Sequence, residues 1–161
     1  MKTTVKNEKR VTSISAETEI HARKELVWGA LQNIGAIERF HPLVKKSKSL
    51  TEKKGGLGAV RSCELLPMGV MQEQVVDWQE GRSFEMEVIG GKMLPPHTFM
   101  KGVIELQEQG LSTDVKFTLT YQLKFGMLGS LMDALMIRPQ FRKAPPKYIY
   151  GLKAFVENSI S

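Results

Sequence analysis

The sequence predicts an α+β domain in which a curved, seven-stranded antiparallel sheet wraps around a long, proline-interrupted C-terminal helix. Three observations predict it. The middle of the chain is a run of strand-like segments, each with one apolar face. Short glycine-containing connections separate these segments, which favours hairpins and so an antiparallel meander. Helical spacing appears only before and after this run. A sheet with one dry face must bury it, and the closing helix is the only element long enough to do so.

Taken in order, residues 1–10 are polar and basic and read as a flexible leader, with residues 11–158 as a single domain. Residues 11–20 alternate: Val11, Ser13, Ser15, Glu17 and Glu19 share one face, and Ile14, Ala16 and Ile20 the other. From Arg23 the period changes. Leu26, Ala30 and Ile34 follow one helical face to about Gln32, and Ile37 and Phe40 suggest a second short turn closed by Pro42. These are the two short helices between the first two strands. Strands then follow at 46–53, 58–66, 70–79, 83–89, 99–108 and 111–124. Their connections carry Gly55-Gly56, Pro67-Met68-Gly69, Glu80-Gly81, Gly90-Gly91 and Gln109-Gly110.

The C-terminal third carries two apolar stripes. One is Leu128, Leu131, Met132, Leu135 and Met136; the other is Tyr148, Leu152, Phe155 and Val156. Pro139, Pro145 and Pro146 lie between them, so the expectation is a helix over 127–138, a break, and a second segment over 146–158. Pro146 suits the first turn of that second segment. A curved sheet touching a helix along one line leaves a gap, and such gaps hold ligands.

The bulk numbers narrow the function classes. The net charge is +6, with clusters at Lys45, Lys46, Lys48, Lys53 and Lys54 and at Arg138, Arg142, Lys143 and Lys147. Neither is interleaved with aromatics as a nucleic-acid platform would be, so no nucleic-acid partner is expected. A solvated surface accounts for them, while a basic mouth at a membrane surface is a third reading. Cys63 is the only cysteine and suits a reducing compartment, with the cytoplasm as the default. No window approaches 18 uninterrupted apolar residues. His21, His41 and His97 share no metal-ligand spacing, and no phosphate loop or nucleophile elbow occurs, so neither metal nor cofactor is expected.

Strand parity places Glu73 with Met71 and Val75, and Arg61 with Cys63 and Leu65. Both charged side chains then face the cavity, as an acid/base pair, a polar anchor for a ligand, or a structural ion pair. His97, after Pro95-Pro96 in a loop near the mouth, is a ligand contact or general base, or else an exposed loop residue. Phe84, Met86, Phe117, Leu119, Tyr121, Leu128, Met132 and Leu135 are the expected cavity walls.

Several motifs, in order along residues 11–158, resemble the START/SRPBCC superfamily of helix-grip proteins, in particular its polyketide cyclase/dehydrase-like branch. Ile20-His21-Ala22-Arg23-Lys24-Glu25-Leu26-Val27-Trp28 is similar to that family's strand-to-helix opening, and Phe40-His41-Pro42 to the end of its small helices. Gly56-Leu57-Gly58-Ala59-Val60-Arg61 resembles its strand entry; Glu73, Val75 and Asp77 followed by Phe84 resemble its acidic strand and the aromatic one after it. Gly126-Met127-Leu128-Gly129 with Arg138 and Arg142 resembles the start of its closing helix. The loops Leu66-Pro67-Met68-Gly69 and Gly90-Gly91-Lys92-Met93-Leu94 resemble the gate and latch of plant abscisic-acid receptors, and Lys46 their pocket lysine. The proline-broken last helix departs from those receptors. The resemblance implies an internal cavity for a small hydrophobic molecule: a lipid, polyketide or aromatic compound. Carriage of such a ligand is one implied function. A cyclase or dehydratase acting through Glu73 or His97 is the other.

Overall fold

Among the described residues of the computed structural model, 1–67 and 69–161, eight strands form one antiparallel sheet. Met68, in the expected gate loop, lies outside the described residues. The strands are β1 (Lys2–Glu8), β2 (Val11–Ile20), β3 (Val44–Ser49), β4 (Val60–Leu65), β5 (Gly69–Gln79), β6 (Ser83–Lys92), β7 (His97–Gln109) and β8 (Ser112–Leu123). Their order is β1-β2-β8-β7-β6-β5-β4-β3. Strands β3 to β8 are the predicted meander, and β2 closes it by pairing with β8, Thr12 opposite Tyr121 through Ile20 opposite Thr113.

The strand count corrects the expectation of seven. Residues 2–8, read from sequence as a leader, pair with β2 from Lys2 opposite Glu17 to Glu8 opposite Val11. A two-residue turn at Lys9-Arg10, both at positive φ, makes this hairpin. Every residue of β1 is exposed, so it extends the sheet edge without adding to the core.

Helix α1 (Lys24–Leu31) and a 3-10 turn (Ile34–Arg39) sit between β2 and β3, as the spacing predicts. The C-terminal region runs through α2 (Gly126–Met132), a π-helical segment (Asp133–Ile137), α3 (Arg138–Phe141) and α4 (Ala144–Ser159). Pro145 and Pro146 fall in the first turn of α4, where the missing N–H costs nothing. Tyr148, Ile149, Leu152 and Val156 of α4 are buried against the concave face of the sheet. Gly151 lets α4 come close to the chain before β3, because a Cβ there would collide with the Phe40 carbonyl.

Two apolar clusters result. The larger joins α1, α4 and the sheet, and includes the mutually packed rings of Trp28, Trp78 and Phe84. Both indoles donate to Glu80, each at 2.7 Å. The smaller contains Ile14, Met100, Tyr121, Leu123 and Phe141.

Candidate functional site

Between the two clusters lies an internal void of about 90 Å³. Its walls are mostly apolar: Met71, Phe84, Met86, Met100, Phe117 and Leu119 from the sheet, Phe141 and Tyr148 from the C-terminal region. Gly102 in the middle of β7 leaves room for the Phe117 ring, whose Cε2 would lie 2.8 Å from a Cβ at that position. Leu66, half-exposed, belongs to the same lining and marks where the void approaches the surface.

One end of the void is polar. Arg61 on β4 and Glu73 on β5 are direct cross-strand partners, both buried. The Arg61 Nε donates to Glu73 Oε2 at 2.8 Å, and Nη1 donates to the Ile34 carbonyl at 3.1 Å. Burial opposes the charge on Arg61, but Glu73 and its other neighbours more than offset this and hold the guanidinium charged. Oε1 of Glu73 has no hydrogen-bond partner among the described residues. No fully buried side-chain N or O atom there lacks one, so Oε1 is not fully enclosed, and Glu73 lines the void.

His41 and Tyr148 complete this end. The Leu43 N–H donates to His41 Nδ1 at 3.2 Å, which leaves the proton of the neutral ring on Nε2. Burial, then the charges of Arg61 and Lys147, pull the His41 pKa down to about 4, so the imidazole is neutral near pH 7. Its ring meets Tyr148 edge to face at 5.3 Å. Burial raises the pKa of Tyr148 and pushes the Cys63 thiol up to about 11, so both stay protonated. The lining therefore brings the Glu73 carboxylate, the His41 imidazole and the Tyr148 phenol together beside Arg61 and Cys63. Such a set can orient a polar end or move one proton.

The structure brings six of the sequence-predicted residues to this void: Arg61, Glu73, Phe84, Met86, Phe117 and Leu119. It places the others elsewhere. Lys46 is exposed, because an irregularity between Val44 and Lys46 turns both Lys45 and Lys46 outward. His97 opens β7 with its Nδ1 2.9 Å from the Pro95 carbonyl, away from the lining. Tyr121 is buried in the smaller cluster, where its hydroxyl donates to Asp133 at 2.6 Å, and Met132 packs against that cluster. Leu128 and Leu135 are each 70% exposed. Asp133 is the cause. It accepts from Tyr121, from Thr12 Oγ1 at 2.8 Å and from Arg138 at 2.6 and 3.0 Å, so this polar side chain fixes the inward face.

Sequence reasoning missed His41 and Tyr148. His41 was read as part of the Phe40-His41-Pro42 turn and as a histidine without metal-ligand spacing, and Tyr148 only as part of a helical stripe. Their proximity depends on α4 packing against residues 40–42, just after the 3-10 turn. Among the described residues, no three His, Cys, Asp or Glu side chains converge as metal ligands. No helix there is long and apolar enough to cross a membrane.

A curved antiparallel sheet holding a C-terminal helix over an internal apolar void defines a helix-grip protein of the SRPBCC superfamily. More narrowly, the chain belongs to the family described as polyketide cyclase / dehydrase and lipid transport, whose model matches residues 11–157. Solved structures share the fold at low identity. The Zhui aromatase/cyclase from Streptomyces sp. R1128 is 14% identical, with a TM-score of 0.78 over 94% of this chain and 96% of that one. TTHA0849 from Thermus thermophilus is 18% identical, with a TM-score of 0.73 over 92% and 99%. A norcoclaurine synthase point mutant of Thalictrum flavum, in complex with a transition-state analogue, is 16% identical, with a TM-score of 0.69 over 100% and 99%. No curated protein sequence is significantly similar to this chain.

Proposed function

We propose that the chain binds and carries a small hydrophobic molecule, a lipid, polyketide or aromatic compound, between its sheet and its C-terminal helix. The observation that carries this reading is an apolar void with a single polar end. The ligand's body would pack on Phe84, Met86, Phe117 and Leu119, with its polar atom at Glu73 Oε1, His41 Nε2 and the Tyr148 hydroxyl. The family description, which includes lipid transport, supports it. The void of about 90 Å³ is far below the roughly 300 Å³ at which drug-sized pockets begin. Binding therefore requires the walls to yield. Met71, Met86 and Met100 are unbranched and can repack around a guest. The buried free thiol of Cys63 suits a reducing compartment, and we place the protein in the cytoplasm.

Glu73 favours a second reading, a cyclase or dehydratase. Its uncommitted oxygen could take a proton from a carbon beside a carbonyl, while His41 Nε2–H donates to that carbonyl. Native mass spectrometry of freshly purified protein separates the two. Carriage predicts a hydrophobic adduct that Glu73→Gln retains and Gly102→Val loses, because the added methyls drive Phe117 into the void. Turnover of a polyketide-like substrate, abolished by Glu73→Gln, would establish the enzyme instead. If the protein carries no adduct and takes up no added hydrophobe, the cavity reading fails.

A further inference from the structure

The outer face of α2 and the π-helical segment has no use in the cavity. Phe125, Met127, Leu128, Leu131, Leu135 and Met136 are each more than half exposed, a row of large apolar side chains along one helical surface. Isolated exposed leucines are ordinary; a contiguous row marks an interaction surface. The exposed charges of this segment are of one sign. From Lys124 to Val156 the only acid is Asp133, buried and paired with Arg138, whereas Lys124, Arg142, Lys143 and Lys147 are exposed bases. The Arg10 side chain lies beside Gly126 at the start of the same row. Phe141, a few residues beyond this row, lines both the internal void and an outer groove with Pro67, Met93, Leu94 and Ile137.

We propose that this face docks on an anionic lipid bilayer, with the apolar row inserted among the acyl chains and the basic rim on the lipid headgroups. An apolar helix face bordered by Lys and Arg is the pattern of interfacial binding. A second copy of the chain fits worse, because self-association would set two basic rims against each other. The side chains also project from a helix instead of lining a deep groove, which suits a deformable lipid surface. Docking here would bring the Leu66 and Phe141 edge of the void to the bilayer, so that a hydrophobe could pass between them.

Flotation with phosphatidylcholine vesicles, with and without phosphatidylglycerol, tests this on the full chain. The native protein should float with the anionic vesicles and be released as salt rises. Leu128→Asp with Leu135→Asp should weaken that binding by about tenfold or more, and Arg142→Glu with Lys143→Glu should reduce it on anionic vesicles only. These positions are exposed, and unchanged circular dichroism would confirm folding. Leu131→Trp gives an independent readout, a blue shift in emission on anionic vesicles. Vesicle binding is read without added hydrophobe and ligand uptake is read without vesicles, so failure of the cavity reading and failure of docking are distinguishable. Native protein that stays unbound, or a Leu128/Leu135 double variant that still floats, would overturn the proposal. So would a double variant whose only change is loss of a dimer, since the face would then be a self-interface.

Discussion

The two halves of the C-terminal region have similar apolar stripes and opposite fates. In α4, Tyr148, Ile149, Leu152 and Val156 are buried on the sheet. In α2 and the π-helical segment, Leu128, Leu131, Leu135 and Met136 face outward, while Asp133 and Gly129 face in. The first half is held by hydrophobic burial, the second by hydrogen bonds to one carboxylate beside the packing of Met132 and Ile137. Helical periodicity reveals that a face is apolar; it does not say which way the face points.

The largest effect that sharpens this contrast is expected at Leu152. Leu152→Ala should cost about 2–5 kcal/mol in denaturant unfolding, from lost transfer energy and the cavity left behind. A cost under about 0.5 kcal/mol, the range of surface substitutions, would erase the distinction between the halves.

Acid should attack the buried half next. His41 packs on Tyr148 of α4, and its pKa falls from 6.5 to about 4 on folding. Below pH 6.5 the unfolded chain takes up a proton that the folded chain refuses. Stability contributed at neutral pH is then lost progressively down to about pH 4, on the order of 3 kcal/mol for a shift of this size. His41→Phe should flatten that part of the stability–pH curve, and an unchanged curve would exclude His41 as its source.

Asp133→Ala comes third. It strands the Tyr121 hydroxyl and frees Arg138, at a cost of about 1–3 kcal/mol. Hydrogen exchange should rise across residues 126–141 more than across α4. Last, Leu128→Ser should change stability by less than about 0.5 kcal/mol, because the side chain is already in water.

Much of this architecture was legible in the sequence. The alternation in 83–89 and 111–124 and the glycine turns specify a meander, because period two with one dry face admits little else. Strand β1 was not legible, since its turn at Lys9-Arg10 takes positive φ at two residues that carry no turn signal. At the site, parity found Arg61 and Glu73, which face each other across two strands. The family resemblance failed at Lys46, which a strand irregularity turns outward, and helical spacing failed at Leu128 and Leu135, where the inward face belongs to Asp133. His41 and Tyr148 are 107 residues apart in sequence, and only the tertiary fold joins them.

Methionine methyl NMR tests the ligand-binding account most directly, because the nine methionines sample both regions. Met71, Met86 and Met100 line the void, and Met127 and Met136 stand on the outer face. Titration with decanoate or 1-naphthol, without vesicles, should shift the first three saturably and leave the last two unmoved. Shifts confined to Met127 and Met136, or no shift at any methionine, would contradict the account.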